Sequence, residues 1–125
     1  MKKIIHTSDA PKAIGPYSQG ILNGNTLYVS GQIPVNPHTG ELLTGDIREQ
    51  TKQVMNNIHA ILLEAEMNFT NVVKASIFIS DMNDFQKINE VYTTYFSDDP
   101  PARECIQAAR LPRNANVEIS MIAVK

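Results

Sequence analysis

The sequence predicts an α+β fold in which two amphipathic helices cover one face of a single sheet. Three observations carry this prediction. Apolar residues recur at helical spacing in two segments, one opening at Asp46 and one at Asp81; Val72–Ser80 and Val117–Val124 alternate as strands do; and an Asn-Gly pair separates two apolar runs near the N-terminus. With 125 residues the chain is long enough for one domain with a real core and too short for two.

Ile4 and Ile5, between polar neighbours, predict a short first strand that stops before Ala10-Pro11. The Gly- and Pro-rich segment Ala13 to Gly20 reads as a loop around one aromatic, Tyr17, which can either line a ligand site or pack the loop against the body. Ile21-Leu22 and Leu27-Tyr28-Val29-Ser30 flank Asn23-Gly24-Asn25 and predict a β-hairpin. Gly31 then permits close backbone approach or a bulge, and Ile33 to Gly40, with Pro34 and Pro37, reads as an irregular loop. Asp46-Ile47-Arg48-Glu49 has the form of a capping box, with Asp46 accepting from the Glu49 amide. Ile47, Val54, Ile58, Ile61, Leu62 and Ala65 supply the stripe of the first helix, with His59 turned outward. In Val72 to Ser80 the alternation places Val73, Ala75, Ile77 and Ile79 on one face. The second helix carries Phe85, Ile88, Val91, Tyr92, Tyr95 and Phe96, an aromatic stripe that reads as core. Asn89 lies near that stripe, and a loop backbone is its expected partner. Arg103 to Ala108 and Val117 to Val124 close the chain as strands. Phe78, Ile122 and Val124 make the sheet's second face partly apolar, which points to burial against another copy of the chain.

Composition narrows the function. Eleven Lys and Arg against thirteen Asp and Glu leave a formal charge of −2, which argues against nucleic acid or acidic membranes as partners and leaves a small neutral or anionic ligand. The single Cys105 cannot close an intrachain bridge, and no apolar leader or membrane-length span is present, so a cytoplasmic protein is expected. His6, His38 and His59 stand isolated, which argues against a metal site.

The stretch from Pro100 to Arg113, followed by Val117-Glu118-Ile119, carries the chemistry. It sets a guanidinium, Arg103, and a carboxylate, Glu118, on two short apolar strands, where either is costly to bury without a partner. Arg103 presents a donor fork suited to a carboxylate, and Glu118 can hold a water or take its proton. Both can equally be surface charges on edge strands.

Gly15-Pro16-Tyr17, Ser30-Gly31-Gln32-Ile33-Pro34, Asp81-Met82-Asn83-Asp84-Phe85, Pro101-Ala102-Arg103, Arg110-Leu111-Pro112 and Val117-Glu118-Ile119 stand in the order and approximate spacing of the RidA (YjgF/YER057c/UK114) family, which the whole chain resembles. The resemblance implies a chorismate-mutase-like fold with a mixed six-stranded sheet, a homotrimer with a cleft between neighbouring subunits, and no cofactor. It implies hydrolysis of enamines and imines such as 2-aminoacrylate, 2-iminopropanoate and 2-iminobutanoate to a 2-oxo acid and ammonia. It makes Arg103 the anchor of the substrate carboxylate and Glu118 the residue that orients and deprotonates water. Backbone groups of Gly31 and Cys105 would touch substrate or water, Tyr17 and Ser30 would line the cleft, and Asn89 would contribute to binding. For the Cys105 thiol itself, a small buried hydrophobe is the alternative. The family's strand order places one strand between those of Arg103 and Glu118, about 10 Å apart, a gap that a small substrate plus a water is expected to bridge. The sequence departs from the family pattern at Glu104, Ser120, Asn114 and in a short Ser97–Pro100 segment; Glu104 is expected on the face opposite Arg103.

Two other functions compete: a regulatory module that senses a small carboxylate in the same cleft without turnover, and an endoribonuclease or translation inhibitor. The charge balance argues against the second.

Overall fold

A computed structural model describes residues 1–125. The strands are β1 (Lys2–Ile5), β2 (Gly20–Asn23), β3 (Thr26–Gln32), β4 (Val72–Ile79), β5 (Ala102–Gln107) and β6 (Val117–Val124), and the helices are α1 (Ile47–Glu64) and α2 (Phe85–Thr93). They form one six-stranded mixed sheet in the order β1-β2-β3-β6-β4-β5. All pairings are antiparallel except β4 with β5. The α+β class and six strands expected from the sequence are therefore present.

The hairpin forms where Asn-Gly predicted it. Asn23 pairs with Thr26 and Gly24 takes φ 62, a left-handed first central residue that a two-residue hairpin turn requires. α1 begins at Asp46, but the capping box does not form: Asp46 accepts from the Arg48 amide at 2.9 Å, while the buried Gln50 side chain donates back to the Gly45 carbonyl at 3.1 Å. At its other end Glu66 turns left-handed (φ 60) and the Met67 amide reaches back to the Leu62 carbonyl at 2.9 Å, a Schellman closure without glycine. The reciprocal cap appears instead at Asn68, whose partner is Asn71.

Three further expectations need correction. The alternation of β4 is broken by a register shift between Val72 and Lys74, so Val72 faces the core and Val73 is exposed, while Ala75, Ile77 and Ile79 stay inside. α2 ends at Thr93, and Tyr95 and Phe96 follow in tight turns whose amides bond to Tyr92 and Thr93. These two rings pack on Phe69 at 5.2 and 5.6 Å between centroids, and His59, rather than being solvated, stacks on the same ring at 5.4 Å.

The core lies between the helices and one sheet face, where Leu27, Val29, Ala75, Ile77, Ile119 and Met121 meet Val54, Ile58, Ile61 and Leu62 of α1 and Ile88 and Tyr92 of α2. The other face carries no element of this chain and shows Tyr28 and Val124 exposed and Phe78 and Ile122 half-buried. No helix is long and apolar enough to cross a membrane.

Buried amides hold the loops at one end of the sheet. Gln19 accepts from the Thr7 amide at 2.7 Å and donates to the carbonyls of Thr7 and Pro11 at 3.0 Å each. Asn57 of α1, fully buried, donates to Val35 and Ile33 at 3.0 and 3.3 Å and thereby pins the 33–40 loop. Removing such a side chain strands buried carbonyls, so Asn57→Ala is expected to lower stability by about 1–3 kcal/mol. Urea unfolding checks this, and an unchanged midpoint would show that the loop needs no tether.

Candidate active site

Two clusters of predicted residues form at different places. The first is a cleft of about 690 Å³ whose lining includes Tyr17, Ser30, Gly31, Arg113 and Glu118. Its walls are the two loops that Gln19 and Asn57 hold. Its floor follows from the sheet: the β3–β6 register slips between Val29 and Gln32, so Ser30 and Gly31 bulge beside Glu118. A Cβ built on Gly31 would collide with Glu118 Oε2, so the carboxylate lies directly on the glycine backbone. Glu118 faces away from the helices and is half-buried, and burial pushes its carboxyl above the usual carboxylate range. The Ser30 hydroxyl donates to the Ser18 carbonyl, leaving its oxygen able to accept. Tyr17 remains 52% exposed along the cleft, so it lines the site and does not merely pack its loop.

Glycine is therefore required at 31 for contact, not for φ. Gly31→Ala is expected to displace the Glu118 carboxylate while leaving the sheet paired. A crystal structure of the variant with a far-UV spectrum checks this; a folded variant whose carboxylate stays in place would show that the glycine is not needed for the contact.

The second cluster lies at the opposite sheet edge. Arg103, on β5, is exposed, but three α2 side chains hold it: Nη1 donates to Asn89 Oδ1 at 2.6 Å, and the guanidinium carbon stands 5.4 Å from the Phe85 ring centre and 5.0 Å from that of Tyr92. The expectation that Asn89 bonds a loop backbone is thus corrected: its partner is Arg103. The neighbouring Cys105 packs on the core, and burial raises its thiol, so no thiolate is prepared there. As an edge strand, β5 leaves a row of backbone groups unpaired within the chain. Glu104 points to the other face, as expected, where it pairs with Lys74 at 2.9 Å and accepts from Ser76.

The strand order is the one expected, with β4 between β5 and β6. The register, however, overturns the idea that a small substrate bridges Arg103 and Glu118 within one chain. Arg103 sits opposite Ala75 and Glu118 opposite Phe78, three residues further along β4. That odd offset puts the side chains on opposite faces, with backbones about 14 Å apart. Sequence reasoning also passed over Arg113, whose guanidinium donates to the Gly40 carbonyl at 3.2 Å at the cleft.

A mixed sheet with helices on one face, a half-buried carboxylate on a glycine bulge and an arginine clamped at the far edge define a class of α+β protein. The chain belongs to the Rid family that its motifs resemble, since the family model described as endoribonuclease L-PSP matches residues 7–125. A RutC family protein of Pyrococcus horikoshii is 50% identical over 125 residues, covering 100% of this chain and 99% of the relative. The bovine (Bos taurus) protein named 2-iminobutanoate/2-iminopropanoate deaminase is 48% identical over 125 residues, covering 100% and 91%. Among solved structures, E. coli TdcF with bound serine superposes with a TM-score of 0.94 at 44% identity, covering 98% of each chain.

Proposed function

We propose that this protein is a cofactor-independent deaminase that hydrolyses 2-imino acids, such as 2-iminopropanoate and 2-iminobutanoate, and the enamine 2-aminoacrylate, to 2-oxo acids and ammonia. The observation that carries the reading is the Glu118 carboxylate, seated on Gly31 at the cleft with its proton affinity raised by burial. A base needs that tuning to take a proton from water near neutral pH. The deaminase name of mammalian relatives and the serine bound in a homologous structure fit a substrate with a carboxylate beside a C–N carbon.

The enamine first tautomerises to its imine; the water oxygen then adds to the imine carbon while one water proton passes through Glu118 to the imine nitrogen. The resulting carbinolamine gives its hydroxyl proton to Glu118, which hands it to the amine as the C–N bond breaks, so ammonia leaves and the carbonyl forms without redox change. Arg103 holds the substrate carboxylate through its fork, Tyr17 and Ser30 border the reacting carbon, and backbone groups at Gly31 and Cys105 contact substrate or water. Asn89, Phe85 and Tyr92 act through Arg103 as positioning residues. Because Arg103 and Glu118 occupy opposite faces, we assign them to one site only across an interface, Arg103 from one copy and Glu118 from the next, in a homotrimer that also covers Phe78 and Ile122. The lone Cys105, with no bridge, suits a cytoplasmic setting.

The test is to generate 2-iminobutanoate in situ with a threonine dehydratase and follow 2-oxobutanoate release. The protein should accelerate it above the spontaneous rate; equal rates with and without protein would sink the proposal.

A further inference from the structure

Two cations in the cleft have no part in the chemistry above, and one of them, Arg113, is anchored. Arg113 and Lys12 are the basic residues lining the cleft and Glu118 the acidic one, so the lining is positive by one charge even with Glu118 ionised. Arg113 is held unusually. It and Asn114 are consecutive non-glycine residues in the left-handed region, at φ 55 and φ 56, closed by the Asn114 amide on the Leu111 carbonyl at 3.0 Å and that of Ala115 on Pro112 at 3.1 Å. Such backbone is disfavoured and clusters at ligand sites. One guanidinium nitrogen is tethered to Gly40 at 3.2 Å, and no carboxylate of the chain pairs with the rest of the fork.

We propose that Arg113 is a specificity-determining residue that binds a second carboxylate at the far end of the substrate, so that the cleft accepts dicarboxylic imino acids of the aspartate and glutamate type as well as short aliphatic ones. This rests on the deaminase reading. Arg103 takes the carboxylate next to the imine carbon, and Arg113 the distal one.

The experiment compares kcat/KM for 2-iminobutanoate and 2-iminoglutarate, each formed in situ by an amino-acid oxidase, in wild type, Arg113→Gln and Arg113→Lys. Arg113→Gln should shift the ratio of the two constants about tenfold or more toward 2-iminobutanoate, the loss expected for one charged hydrogen-bonding partner, and Arg113→Lys should recover part of it. If Arg113 only straps Gly40 to the turn, both constants fall together and the ratio stays put, which overturns the proposal. A wild type that turns over 2-iminobutanoate but not 2-iminoglutarate overturns it too, while leaving the deaminase function intact. A wild type inactive on every imine removes both.

Discussion

Glu118→Gln is expected to lower imine turnover by about 10²–10⁴-fold, the range for removing a general base, while carboxylate binding persists. Glutamine keeps the shape that lies on Gly31 and loses only the proton acceptor. The wild-type pH profile should report the same group. Burial raises the Glu118 carboxyl, so kcat/KM should fall on the acid side at a pH above about 4.3, the ordinary glutamate value. Stability should respond in a matching sense. A carboxyl whose folded value is raised favours the fold while protonated, and that contribution is lost as pH rises through the raised value. Glu118→Gln escapes the loss, so its thermal midpoint should exceed that of wild type at pH 7, with the advantage vanishing at pH near or below 4. A variant that is inactive but less stable at pH 7 would mean that the carboxylate braces the fold and is not held there at a cost for function.

Arg103→Ala should reduce kcat/KM by about 10²–10³-fold through loss of a charge-assisted, two-pronged contact to the substrate carboxylate. The side chain is exposed and rests on Phe85, Asn89 and Tyr92, so stability should change by no more than about 1 kcal/mol. Arg103→Lys should rescue little, because an ammonium neither forks onto a carboxylate nor lies flat on two aromatic rings. Kinetics on 2-iminobutanoate decide it; activity in the alanine variant within twofold or so of wild type would remove Arg103 as the anchor.

Much of this architecture can be read locally. Alternation in Val117–Val124, the Asn-Gly turn and the stripe of α1 each follow from spacing over a few residues, and Gly31 announces its bulge. What escapes local reading depends on partners far along the chain. Gln19 and Asn57 look like surface amides until the carbonyls of Thr7, Pro11, Ile33 and Val35 arrive beside them. The exposed Val73 depends on a register slip against β6, which no alternation pattern reveals. The same holds for the site. The residue types at 103 and 118 mark a candidate anchor and a candidate base, yet their placement on opposite faces follows only from the β4 register, since one residue of slip flips every side chain. The clamp of Arg103 by α2 was likewise hidden, because an aromatic stripe at helical spacing reads as core, and Tyr92 is indeed buried while presenting a ring to the guanidinium.

If one chain supplies the guanidinium and another the carboxylate, mixing two inactive variants restores activity. Arg103→Ala and Glu118→Gln proteins, each inactive alone, would be unfolded together, refolded at equal concentrations and assayed on 2-iminobutanoate. Random assembly places an intact Arg103 against an intact Glu118 at about a quarter of the interfaces, so about a quarter of wild-type activity should return. Mixtures as inactive as the separate variants, despite demonstrated subunit exchange, would mean that no site is built from two chains.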